Sequence, residues 1–146
     1  MVHALEETHR LLRPGGTLLE IHPAVDEPPF VEVRSDGQLL FGEQDPAFDY
    51  EEDLRDAEAA VATAVERGVF TVEDRRRFEL RTHAASVVEL RDHWAFVGAY
   101  DPEEPEETLM RRRDEMYARA NRVLKRSPGA EIVYVEPATM SRLAPT

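Results

Sequence analysis

Between Leu12 and Ile21 the chain reads Leu-Arg-Pro-Gly-Gly-Thr-Leu-Leu-Glu-Ile, a run that leaves the backbone few choices. Pro14 has a fixed φ and no amide hydrogen, so a helix arriving from the N-terminal side must stop near it. Gly15 or Gly16 can take the left-handed conformation that closes a helix. Thr17 to Ile21 is then nearly all apolar, as strands covered on both faces are. The amphipathic stretch Ala4 to Leu11 supplies the helix, so the unit is helix, tight turn, central strand.

Further along, Pro23 to Pro29 interrupts regular structure, and Phe30 to Arg34 and Gln38 to Phe41 flank Ser35-Asp36-Gly37, an Asp-Gly hairpin signal. Glu51 to Arg67 carries Leu54, Ala57, Val61, Ala64 and Val65 at helical spacing and stops at Gly68. Phe70 to Thr82 reads as a long strand with a charged interruption at Glu73 to Arg77. Ser86-Val87-Val88-Glu89 is a capping box that starts a short helix at Val87. Asp101-Pro102 is a second helix start, leading into the longest helix, which ends near Ser127-Pro128-Gly129. Glu131 to Val135 is the last strand expected, and Pro137 to Thr146 reads as a trailing segment.

The 146 residues are 42% apolar, enough for one core, and a single domain over 1–146 is expected. A formal charge of −12 opposes binding to phosphate backbones and anionic membranes, so neither nucleic acid nor membrane is an expected partner. There is no cysteine, which excludes disulfides and thiolate chemistry. No basic region followed by an apolar run opens the chain, and no stretch approaches the ~20 apolar residues of a membrane span. A cytoplasmic protein is the resulting expectation.

The opening helix and turn resemble the segment between the fourth and fifth strands of class I S-adenosylmethionine-dependent methyltransferases. That family commonly carries E-x-x-R-x-L-x-P-G-G there, and Glu6 or Glu7, Arg10, Leu12, Pro14, Gly15 and Gly16 fall on it with offsets that drift by a residue. The same turn chemistry also serves any helix that ends before a strand. In the family this word stands past the middle of the domain, after a glycine-rich cofactor loop and an acidic ribose-binding residue, whereas here it begins at residue 2. The glycines, at 15, 16, 37, 42, 68, 98 and 129, make no Gly-x-Gly loop between a strand and a helix.

The resemblance therefore implies an α/β chain with a partial Rossmann-like methyltransferase fold: the fifth to seventh strands with flanking helices and an inserted hairpin, without the N-terminal cofactor-binding half. In the family the fifth and sixth strands are parallel and the seventh runs antiparallel between them. S-adenosylmethionine is the cofactor of the complete fold, and none is expected to bind this chain alone. The missing half is expected upstream of Met1 or on another polypeptide. With its neighbour absent, the strand Thr17 to Ile21 has an open apolar edge, expected to be covered by a homodimer, by that other polypeptide, or by the Phe30 to Phe41 hairpin.

Open α/β sheets gather ligands beyond the carboxyl ends of their parallel strands. On that reading His22 and His83 end two such strands at one rim, with Glu131 nearby and the Trp94 helix above, so His22, His83 and Trp94 are the candidate substrate-binding residues. A histidine at a strand end also serves as a solvated or capping residue, and Trp94 also reads as core. No catalytic or cofactor-binding residue is assigned. No His-x-x-x-His or His-Glu-x-x-His pair exists, so no metal site is expected. The triplets Arg75 to Arg77 and Arg111 to Arg113 read as ion-pairing residues on solvated faces. Function accordingly divides between a truncated methyltransferase-like protein, inactive alone, that contributes the acceptor-side half, and a non-catalytic α/β module that associates with itself or a partner. An unrelated α+β binding domain is the third reading.

Overall fold

The computed structural model describes residues 1–48, 51–98 and 106–146. Among them are helices α1 (Val2–Leu11), α2 (Glu51–Glu66), α3 (Val87–Gly98) and α4 (Glu107–Arg126), and strands β1 (Leu18–Pro23), β2 (Phe30–Ser35), β3 (Gln38–Gln44), β4 (Phe70–Ala84) and β5 (Glu131–Pro145). The fold is mixed α/β, with the strands in one five-stranded sheet. The helix start expected at Asp101-Pro102 lies outside the described residues.

Contacts divide the chain into two compact units, each assembled from separated stretches of sequence. One comprises Met1–Glu27, Tyr50–Glu79 and Pro137–Thr146; the other comprises Pro28–Asp49 and Leu80–Glu136. Strands β4 and β5, each of 15 residues, contribute to both.

In the first unit, α1 ends with Leu12 already extended, and the Pro-Gly-Gly word forms a turn of its own. The Gly16 amide donates to the Arg13 carbonyl at 2.8 Å, with Pro14 and Gly15 between them. Gly15 has φ +75°, which makes this a type II turn, with proline and glycine at the positions that turn requires. A Cβ on Gly16 would lie 2.9 Å from the Arg13 carbonyl oxygen, so the second glycine is demanded by space. The left-handed residue therefore shapes the entry to β1 and does not cap α1. At the end of α2 the sequence reading holds directly: Val69 donates to Ala64 and Gly68 to Val65, the paired bonds of a Schellman motif.

Leu5 of α1, Ala60 and Ala64 of α2, Phe70 of β4 and Leu143 of β5 make this unit's core. Strand β1 pairs antiparallel with β5, Leu18 opposite Leu143 and His22 opposite Thr139. Strand β4 also pairs with β5. The Thr146 amide bonds the Val69 carbonyl, and four residues onward along β4 Glu73 meets Arg142, so β4 too runs against β5. Hence β1 and β4 are parallel to each other, with β5 antiparallel between them.

The stretch from Pro137, expected to trail, is a correction. It continues β5 to Pro145. Strand β5 pairs with β2 over 131–135 and with β1 over 138–143, and between these stretches the Pro137 carbonyl accepts the Ala24 amide at 2.8 Å.

In the second unit, β2 and β3 form the expected hairpin, turning through Asp36 and Gly37, both at positive φ as a type I′ turn requires. The hairpin joins β5 through β2, so it does not cover the open edge of β1. At the start of α3 the capping box forms: Ser86 Oγ accepts the Glu89 amide, and the Glu89 carboxylate accepts the amide of Ala85. Val31, Val33, Leu90, Met116, Ala120 and Ile132 are fully buried in this unit's core.

A polar lock sits beside that core. Asp45, 4% exposed, accepts two bonds from the Arg113 guanidinium at 2.9 and 2.8 Å, one from the Tyr134 hydroxyl at 3.0 Å and one from the Ala47 amide at 3.0 Å. Burial opposes the charge on Arg113, yet its bonds to Asp45 hold its pKa above the ordinary value. Burial, reinforced by the Asp45 charge, pushes the nearby Tyr117 hydroxyl up to about 12. Arg113 is thus a correction to the solvated-face reading of its triplet. Removing one member of such a pair leaves the other charged and unpaired, so Asp45→Ala is expected to lower the unfolding free energy by about 3–5 kcal/mol. Tyr134→Phe is expected to cost about 1–3 kcal/mol. Urea denaturation of both variants measures the difference.

Candidate functional site

In β1, residues alternate between faces. Leu18 joins the helix-covered core, so Glu20 and His22 point to the same side, toward α2. On α2, Leu54, Glu58, Val61 and Val65 follow helical spacing, which sets Glu58 in the middle of an otherwise apolar stripe. Arg75 enters from β4 and Ser141 from β5, and together they bound a cleft of about 310 Å³ within the first unit.

His22 is 8% exposed. Its Nδ1 lies 2.7 Å from the Pro23 carbonyl oxygen, which only accepts, so Nδ1 carries a proton. Nε2 is left between two carboxylates, 3.7 Å from Glu20 and 3.8 Å from Glu58. The Arg75 guanidinium bonds the Glu58 carboxylate. Glu20 Oε2 is buried without a hydrogen-bond partner among the described residues. Burial raises the Glu20 pKa and Glu58 adds to that, against the opposing pull of His22, Arg75 and the Ser141 hydroxyl. An imidazole held by a backbone carbonyl and a carboxylate whose charge is opposed by burial thus face the same cleft.

His22 belongs to the first unit; His83 and Trp94 belong to the second. Both histidines follow parallel strands, but β1 ends at Pro23 while β4 runs on. His22 stands opposite Thr139 of β5, and His83 Nδ1 lies 3.0 Å from Glu131. The His83–Glu131 pair is about half exposed. Trp94 packs against the Tyr134 ring at 4.6 Å beside the apolar core, and its buried Nε1 has no hydrogen-bond partner among the described residues.

Sequence reasoning reached His22 but missed what surrounds it. Glu58 announced itself as an acid inside an apolar helical stripe, and Glu20 as a charge in a strand expected to be covered on both faces, of which one face is in fact exposed at Leu19 and Ile21. Arg75 was visible only as an ion-pairing residue, and Ser141 was assigned to a tail. Among the described residues no three His, Cys, Asp or Glu side chains gather as a metal site would need, and no helix is long and apolar enough to cross a membrane.

The positive-φ glycines bear on the cofactor. Gly15, Gly68 and Gly129 each lie between a helix and the strand after it, and Gly37 turns a hairpin. None of these lies in a strand-to-helix turn, the place where a glycine-rich loop cradles a nucleotide-like cofactor. Comparison with protein-family models, with curated proteins and with solved structures finds no match to this chain.

Glu20 also sets a pH dependence. Its folded-state pKa is raised, so its contribution to stability is full below the ordinary glutamate value and is lost as pH rises through the raised one. Glu20→Gln is expected to raise the melting temperature at pH 7 and to flatten the fall in stability across that window. Thermal unfolding of both proteins from pH 4 to pH 8 reads the change.

Proposed function

We propose that this chain supplies the acceptor-side, C-terminal half of a class I S-adenosylmethionine-dependent methyltransferase fold and is inactive by itself. The observation that carries the reading is the strand arrangement β1, β5, β4, in which β1 and β4 are parallel and β5 is antiparallel between them. That is the arrangement of the family's fifth, seventh and sixth strands. The helix, Pro-Gly-Gly turn and strand at residues 2–23 support the reading at the sequence level, with β2 and β3 as an inserted hairpin. His22, near the end of β1, would then stand on the acceptor side as a proton acceptor or hydrogen-bond partner. Cofactor contacts would come from the complementary half.

Calorimetric titration of the chain with S-adenosylmethionine is expected to show no binding. The DNA upstream of the Met1 codon, or an adjacent reading frame, is expected to encode a strand followed by a glycine-rich turn, and a protein rebuilt with that segment should bind the cofactor at micromolar concentration. Micromolar binding by the present chain alone, or a rebuilt protein that does not bind, would overturn the proposal.

One observation favours a self-associating module as the second reading. Among the described strands β1 pairs with β5 alone, and Leu19 and Ile21 on its other face are 57% and 54% exposed. Ala24 donates to Pro137 of β5, so by alternation Leu19 and Ile21 turn their backbone groups to the free edge. Pro23 has no amide, and its carbonyl is taken by His22. Two copies of this edge, antiparallel about Glu20, would satisfy the free backbone groups of Leu19 and Ile21 and set each of these side chains opposite the other. Sedimentation is expected to show a concentration-dependent dimer that Ile21→Lys abolishes; a monomer at every concentration removes this reading.

A further inference from the structure

The cleft beside His22 combines two surfaces that the proposed function does not explain. One is polar and carries an excess of negative charge: Glu20, Glu58 and Glu66 stand against Arg75, and Arg75 is already bonded to Glu58. The other is aliphatic, with Val61 and Val65 one helical turn apart on α2 and Val72 on β4. Between them, Glu20 Oε2 is a buried acceptor lacking a donor among the described residues, and the nine-tenths-buried His22 sets its Nε2 3.7 Å from Glu20 and 3.8 Å from Glu58. An unpaired buried carboxylate oxygen is unfavourable unless something donates to it.

We propose that this cleft binds a protonated primary alkylamine, its ammonium group between the Glu20 and Glu58 carboxylates and its hydrocarbon arm along Val61, Val65 and Val72. The charge balance selects a cation, since an anion would meet three carboxylates. The aliphatic wall selects an organic cation, because a bare ion has no use for it and no three side chains are set to coordinate a metal among the described residues. The ammonium supplies three donors, which suits Glu20 Oε2, the Glu58 carboxylate and a third acceptor at His22 Nε2 or the Ser141 hydroxyl. The site stands on the cleft alone and does not depend on the methyltransferase reading.

The test is an NMR titration of the full chain at pH 7 with n-butylammonium chloride, using ammonium chloride and sodium butyrate as probes of head group and charge. Saturable shifts are expected around Glu20, Val61, Val65 and Ser141 with butylammonium, with much weaker effects from ammonium and none from butyrate. Glu20→Gln is expected to weaken binding by about tenfold or more, and Glu73→Gln, on the exposed part of β4, to leave it unchanged. Ala62→Phe, at an exposed position on the cleft's rim, tests the site without touching a buried group and is expected to block it. Shifts that do not saturate, equal binding of butyrate, or undiminished binding in Glu20→Gln and Ala62→Phe would each overturn the proposal.

Discussion

Strand β5 is the constraint on which the rest of the chain depends. Its backbone hydrogen-bonding groups are shared among β1, β2 and β4, and its first five residues after Glu131 are buried except at their end. A strand with partners along both edges cannot leave amides or carbonyls unmet, so each neighbouring strand is fixed in direction as well as place. That requirement makes β1 and β4 parallel although no hydrogen bond joins them. Pro137 lies between the stretch of β5 that pairs with β2 and the stretch that pairs with β1, and its carbonyl still accepts the Ala24 amide.

Polar groups buried beside this sheet are handled in two different ways. At Asp45 each carboxylate oxygen has donors, and the guanidinium it holds is kept charged despite burial. This is a satisfied network, and it fixes the loop after β3 against α4 and β5. At Glu20 the account does not close: one oxygen has no donor and burial raises the pKa. Buried polar groups left unsatisfied in this way draw attention as sites of function, because a ligand can supply what the fold omits.

Local elements were legible in the sequence because their causes are local. The type II turn follows from Pro14, Gly15 and Gly16; the hairpin follows from Asp36-Gly37; and α2 and the start of α3 follow from apolar spacing and caps. The reading failed where the cause lies far away in sequence. Pro137 looked like a breaker because its tolerance depends on where β1 and β2 begin and end.

By itself the sequence determined the helices, the turns, the hairpin, the acidic surface charge and the apolar run of the last strand, since each follows from residue chemistry within a turn or two. Only the tertiary structure decided which groups meet. Glu20, Glu58, Arg75 and Ser141 come from four different elements, and nothing in their spacing brings them to His22; the register of β1 on β5 and the packing of α2 over them do. The division of the chain into two units has the same origin, because strands of 15 residues can enter two cores and no local signal marks where one core ends.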